Sequence, residues 1–272
     1  MKSIALGQYY PANSILHRLD PRIKIILAIM YIVCSFLCKN ILGFALLILS
    51  AVLLILLGNI PLKMVLKGLR PVLFILIFTA AINIFWTSGD ILLFEWKFIK
   101  IYTDGIYNAV FIMVRIASLI IGTSMFLTYT TTPIDLTDGI EDLLSPLKKI
   151  HVPVHEFAMM MTIALRFIPT LVEETDKIMT AQKARGADFT SGSLIRRAKA
   201  LIPILIPLFV SAFNRAADLA TAMECRCYHG GDGRTRMKVR HLIATDFISL
   251  VIVVIFGAAL ISFNILSIGF TM

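Results

Sequence analysis

With 58% hydrophobic and 16% charged residues in a chain of 272, the composition lies outside that of soluble proteins, where about 45–50% and about 25% are usual, and a mean hydropathy of +0.86 makes this an integral membrane protein. The net charge of +9 is not read as a nucleic-acid surface, because in a membrane chain basic residues mark particular loops. Four cysteines, two inside an apolar run and two at positions 225 and 227, exclude a secreted disulfide framework and read as reduced thiols.

The opening segment 1–22 is polar, punctuated by Gly7, Pro11 and Pro21, and lacks the cleavage site of a secretory signal. Apolar runs follow at 23–38, with Lys24 at its edge, and at 41–57, both near the lower limit for a span of about 20 residues. A basic linker containing Lys63, Lys67 and Arg70 lies between Pro61 and Pro71. Residues 71–86 form a third span, since proline is tolerated in the first helical turn and only Asn83 is strongly polar. Residues 87–104 alternate polar and aromatic side chains (Phe94, Trp96, Phe98, Tyr102) and read as a loop or interfacial segment. The fourth span is 105–127, stopped by Thr130-Thr131-Thr132-Pro133, and the last lies within 242–270.

The expectation is therefore an all-α integral membrane protein of about five spans, with a large insert before the last, dividing as 1–128, 129–241 and 242–272. Four Lys and Arg in 1–24, three in 58–70 and fifteen in 129–241 face one in 39–40 and two in 87–104. That bias places the N-terminus and the insert in the cytoplasm and the C-terminus outside.

The insert carries two helical patterns. Phe157, Met160, Met161, Ala164, Leu165 and Ile168 form one apolar stripe, and this pattern ends in Ala184-Arg185-Gly186. Leu201, Ile202, Leu205, Leu208, Phe209 and Phe213 form the other, ending in Glu224-Cys225-Arg226-Cys227-Tyr228. The run 201–213 is short for a span, is flanked by charge and contains Pro203 and Pro207, which suits an interfacial or buried helix better. The run 157–172 carries Arg166 and Pro169 and suits a span still less; a seven-span alternative leaves the C-terminus on the same side.

Catalytic constellations are scarce. His155-Glu156 opens like a zinc-protease helix, but Met159 stands where the second histidine belongs. Cys225, Cys227 and His229 are one ligand short of a structural zinc set, and Gly230-Gly231-Asp232-Gly233 has no phosphate-loop lysine. No cofactor or metal site is expected, nor an enzyme. Arg115, about ten residues into the fourth span, must find a carbonyl or polar partner, with Asp246 and Asn83 as candidates; an interhelical hydrogen bond or a substrate contact both fit.

Arg185 and Arg226 each close a helical pattern where the dipole favours a cation, so capping alone accounts for either of them. A guanidinium there also presents a fork of donors to a partner's groove, which lysine does not reproduce.

With these arginines in place the chain resembles the transmembrane, or T, component of energy-coupling factor transporters, the EcfT/CbiQ-like family. The residues that carry the likeness are Ser14-Ile15-Leu16-His17-Arg18-Leu19-Asp20-Pro21-Arg22-x-Lys24, Ala184-Arg185-Gly186, and Arg226 before Tyr228, together with four spans, coupling helices and a last span. The resemblance implies long cytoplasmic coupling helices whose arginine motifs dock into two ATP-binding-cassette ATPases, Ala184, Arg185 and Gly186 on one and Arg226 and Tyr228 on the other. It also implies that a small substrate-binding membrane protein, the S component, sits on their apolar face, expected at Met160, Ala164, Ile168, Leu201 and Leu205. Cys225 and Cys227 depart from the family's usual Ala and Gly; the difference between the two motifs hints at two different ATPases. The function implied is a non-catalytic scaffold in the cell membrane for vitamin or transition-metal uptake. The rival reading is a self-contained secondary transporter or channel with Arg115, Asn83 and Asp246 along its pathway.

Overall fold

The structure, a computed structural model, describes residues 9–87, 92–96, 99–189, 193–231 and 240–265. The described residues are mostly helical: α1 Ile15–Arg18, α2 Pro21–Leu37, α3 Ile41–Gly58, α4 Leu62–Trp86, α5 Thr103–Thr123, α6 Pro133–Leu144, α7 Val154–Ala184, α8 Leu194–Cys225 and α9 Ala244–Ile265. A π-helical turn, Ser124–Tyr129, continues α5, and an antiparallel pair, β1 Leu92–Trp96 and β2 Ile99–Tyr102, precedes it. Described residues within 9–139 and 240–265 form one compact unit, here the span unit, and those within 140–231 form a second, the insert unit.

In the span unit α5 packs against α2, α3 and α4, and α2 packs in turn against α9. Leu27, Tyr31, Met125 and Phe126 are buried in the core of the unit, and a second buried group, Cys38, Phe44, Leu47 and Leu260, lies around the other end of α2. A Cβ on Gly122 would collide with the Tyr31 ring, so the approach of α5 to α2 depends on the missing side chain. The outer faces of α3, α4 and α9 expose leucine, isoleucine and phenylalanine, the surface that an acyl-chain environment requires.

The polar opening segment is tied into this unit by buried and partly buried hydrogen bonds. Ser14 caps α1 and donates to His17 Nδ1 at 2.7 Å, while His17 Nε2 donates to the Tyr10 carbonyl at 2.8 Å; a carbonyl only accepts, so Nε2 carries the proton. Asp20 caps α2 through the Arg22 N–H, and its own N–H donates to Asp246 Oδ1 at 2.9 Å. The other Asp246 oxygen accepts from Ile243 at 2.8 Å, and Lys24 Nζ donates to the Thr130 carbonyl at 2.8 Å and the His17 carbonyl at 3.3 Å. Lys24 and Asp246 are 2% and 1% exposed. The ends of α2 and α5 and the start of α9 are thus clasped together, which accounts for the polar string Ser14 to Lys24. Beside it, Arg240 pairs with Asp135, whose carboxylate also accepts from the α6 cap Thr132.

Two expectations change. The basic linker 58–70 is largely helical: α4 starts at Leu62 and runs through Pro71, because a proline removes one backbone bond from a helix held by many others. The segment 87–104 contains a hairpin rather than only a loop, with Glu95 opposite Lys100 and Trp96 opposite Ile99. The run 201–213 belongs to one continuous 32-residue helix, α8. Its Pro203 and Pro207, one helical turn apart, fall on one face, and the remaining hydrogen-bond rows continue past them.

Among the described residues, five helical stretches, Ile41–Gly58, Leu62–Trp86, Thr103–Tyr129, Arg197–Cys225 and Ala244–Ile265, are long and apolar enough to cross a membrane. The number matches the expectation, but α8 enters the set and the 17-residue α2, one of the expected spans, does not.

Candidate functional site

Both long helices of the insert unit end in the same backbone geometry. At the end of α7, Gly186 N–H donates to the Lys183 carbonyl at 3.0 Å and Ala187 N–H to the Gln182 carbonyl at 3.0 Å, with Gly186 at φ 86°. At the end of α8, Cys227 N–H donates to Glu224 at 2.9 Å and Tyr228 N–H to Met223 at 3.1 Å, with Cys227 at φ 56°. These are two Schellman motifs in equivalent register, each with its arginine at the C-cap, immediately before a left-handed residue. Cys227 takes the place of glycine without altering the hydrogen-bond pattern. Arg185 and Arg226 are both exposed, as are Ala184, Gly186 and Cys225, while Tyr228 is half-buried. The backbone alone closes each helix, leaving the guanidinium side chains directed by nothing in the cap itself.

A non-glycine residue in the left-handed region costs about 1–2 kcal/mol, partly offset by the extra freedom that glycine has when unfolded. Cys227→Gly is therefore expected to stabilise the chain by about 0.5–1 kcal/mol and Gly186→Ala to destabilise it by a similar amount, read as opposite shifts in the urea midpoint of the purified protein.

The two helices pack on each other through a polar contact that sequence reasoning did not find. Glu174 on α7 accepts a hydrogen bond from the Ser211 hydroxyl and, at 2.9 Å, one from the Arg215 guanidinium, both on α8. The Ser211 hydroxyl and the Arg215 charge hold the Glu174 carboxyl below the ordinary range, so the contact is between charged partners at neutral pH. The interval from Glu174 to Arg215 equals that from Arg185 to Arg226, so each terminal arginine stands equally far, about three helical turns, beyond the contact residue on its own helix. That matched spacing was the available signal.

Met160, Ala164 and Ile168 on α7 and Leu201 and Leu205 on α8 are all exposed. On α8 the apolar exposure extends through Ile202, Ile206, Phe209 and Phe213, and the Phe209 and Phe213 rings meet at a tilt of 52° with 4.6 Å between centroids. Among the hydrophobic residues described on α8, only Ile204 is fully buried. So broad an apolar surface calls for cover by lipid or protein.

The three intramembrane polar candidates do not converge. Arg115 donates to the Cys38 carbonyl at the end of α2, at 2.7 Å, with its guanidinium 5.3 Å from the centre of the Phe44 ring. Asn83 donates to Thr79 in its own helix at 2.9 Å, and Asp246 belongs to the buried clasp. Neither Asn83 nor Asp246 is the partner of Arg115. A carbonyl left open at a helix end is, and the arrangement fits an interhelical hydrogen bond.

Comparison with known proteins adds a family. Residues 12–239 match the family model CbiQ, described as cobalt transport protein. The chain is similar to the energy-coupling factor transporter transmembrane protein EcfT of Clostridium kluyveri, 54% identical over 92% of either chain. The EcfT of Ruminiclostridium cellulolyticum is 55% identical over 94% of this chain and 95% of its own length; that of Bacillus subtilis is 49% identical over 97% and 98%.

Proposed function

This chain belongs to the EcfT/CbiQ family of energy-coupling factor transporter transmembrane proteins, and on that premise we propose that it is the non-catalytic scaffold that links two ATP-binding-cassette ATPases to a substrate-binding S component. The observation that carries the reading is the matched pair of Schellman ends, which place Arg185 and Arg226, both exposed, at the same backbone position. Each guanidinium docks on one ATPase. The exposed apolar residues of α7 and α8 receive the S component, and ATP-driven displacement of the two arginine ends changes that surface so that a vitamin or transition-metal ion is released inward. The excess of basic residues in the N-terminal segment and the insert supports a cytoplasmic N-terminus and an external C-terminus. The differing residues around the two arginines favour two different ATPases.

Affinity purification of the tagged chain from its own membranes tests this reading. ATP-binding-cassette ATPases and a small membrane protein are expected to accompany it in fixed ratio. A chain recovered alone, which nevertheless transports substrate in proteoliposomes, would overturn the scaffold reading in favour of a self-contained transporter.

The two surfaces are separable. Ala164→Glu puts an unpaired carboxylate into an apolar contact, at a cost of about 2–5 kcal/mol. Recovery of the S component is expected to fall by at least about thirtyfold while ATPase recovery holds. Equal recovery of the S component would remove Ala164 from that face.

A further inference from the structure

The corner where α3 gives way to α4 holds a cavity of about 360 Å3, with Asn13, Arg18 and Asn59 on its polar side and Ile15, Leu56 and Leu57 on its apolar side. Asn59 closes α3 in the left-handed conformation, and the chain enters α4 at Leu62. Arg18 is exposed and has no ion pair or hydrogen bond among the described residues. The start of α4 then presents Lys63, Lys67 and Arg70, all exposed and without an acidic partner among the described residues.

Two electrostatic preferences are broken there. Positions i, i+4 and i+7 stack three like charges on one helical stripe, where they repel. Lys63 also sits in the first turn of a helix with no acidic residue in that turn, at the positive end of the dipole. A bound anion relieves both conflicts, and departures from local rules of this kind are expected where a ligand compensates them.

The location identifies the anion. Helices α3 and α4 are each long and apolar enough to cross a bilayer, so the short connection between them lies at a membrane–water boundary, at the level of phospholipid phosphates. Most of the cavity wall is apolar, and Leu56, 70% exposed, continues it along the outside of α3. A free phosphate uses only the polar part, whereas a lipid uses both. A zwitterionic headgroup brings its own cation beside Arg18 and the basic start of α4. We propose that this corner binds an anionic phospholipid, its phosphate on Arg18, Asn13 and Asn59 and its acyl chain along Leu56 and Leu57, within the field of the α4 basic stripe.

The test is native mass spectrometry of the delipidated full chain in detergent, titrated separately with dioleoyl-phosphatidylglycerol, dioleoyl-phosphatidylcholine and inorganic phosphate. Phosphatidylglycerol is expected to bind most tightly. Arg18→Gln is expected to weaken it about fivefold, and the pair Lys63→Gln with Lys67→Gln by at least as much, on the scale of a lysine or arginine near an anionic surface. Arg18→Lys, which keeps the charge, is expected to retain most of the affinity, and Lys148→Gln with Lys149→Gln, elsewhere in the chain, all of it. If Arg18→Gln does not fold, the α4 pair and Arg18→Lys carry the same comparison. Equal binding of phosphatidylcholine, equally tight binding of phosphate alone, or unchanged phosphatidylglycerol affinity in the Arg18 and α4 variants would overturn the proposal.

Discussion

Reversing both terminal charges, Arg185→Glu with Arg226→Glu, is expected to abolish co-purification of the ATPases and ATP-driven uptake, while the chain itself stays folded in the membrane. Truncating one member of a buried, hydrogen-bonded charge pair costs about 2–5 kcal/mol, a factor of roughly 30 to several thousand, and reversal adds repulsion. Each single reversal is therefore expected to weaken retention strongly at its own ATPase, and the double change to remove it. Lysine at either position should fall between, because a point charge lacks the guanidinium's planar fork. The caps would survive. Their hydrogen bonds are backbone to backbone and the side chains are exposed, so the helix-dipole contribution at stake is about 0.3–1 kcal/mol per arginine. This gap in magnitude separates docking from capping: full ATPase retention and uptake in the double variant, with only a small loss of stability, would reduce both arginines to helix caps.

The second large effect is on stability. Asp246→Ala should destabilise the span unit by about 3–5 kcal/mol, because its two carboxylate oxygens accept from Asp20 and Ile243 in a site where Asp246 is 1% exposed. The substitution strands two N–H groups and removes negative charge beside the equally buried Lys24, whose named partners are neutral carbonyls. Asp246→Asn keeps one carbonyl acceptor and should cost about 1–3 kcal/mol, the penalty of one unsatisfied group. Thermal unfolding in detergent reads the order native, Asn, Ala; an alanine variant as stable as the native chain would show that the Asp20–Asp246 link carries little of the packing.

Much of this architecture is legible from residues alone, for reasons that differ by region. Apolar runs at 41–57 and 105–127 announce helices because a bilayer leaves the backbone no other way to satisfy its hydrogen bonds. The two arginine ends are legible because a change of periodicity and a helix-closing residue coincide. The partner of Arg115 is not, since it is the main-chain oxygen of Cys38 and every residue has one. Lys24 looks like the edge of a span, whereas the carbonyls of Thr130 and His17 allow its ammonium to be buried. The start of α4 was hidden by its basic residues, which read as a linker although lysine and arginine are good helix formers. Flanking charges made the apolar run 201–213 look short for a span, although the helix that contains it runs from Leu194 to Cys225. Glu174 escaped notice because its partners Ser211 and Arg215 lie far along the chain on another helix, and no local pattern records a contact between two helices.

In the scaffold proposed above, that contact acts as a pivot. The stretch of helix from Glu174 to Arg185 is as long as that from Arg215 to Arg226, so two stiff arms of about 16 Å extend from one pivot. Arms of equal length have a gear ratio of one: a rotation of about 10° at the pivot carries either tip through about 3 Å, and a push on one tip meets the same leverage as a push on the other. Inserting or deleting a turn in one arm would leave both arginine ends chemically intact and put their strokes out of balance.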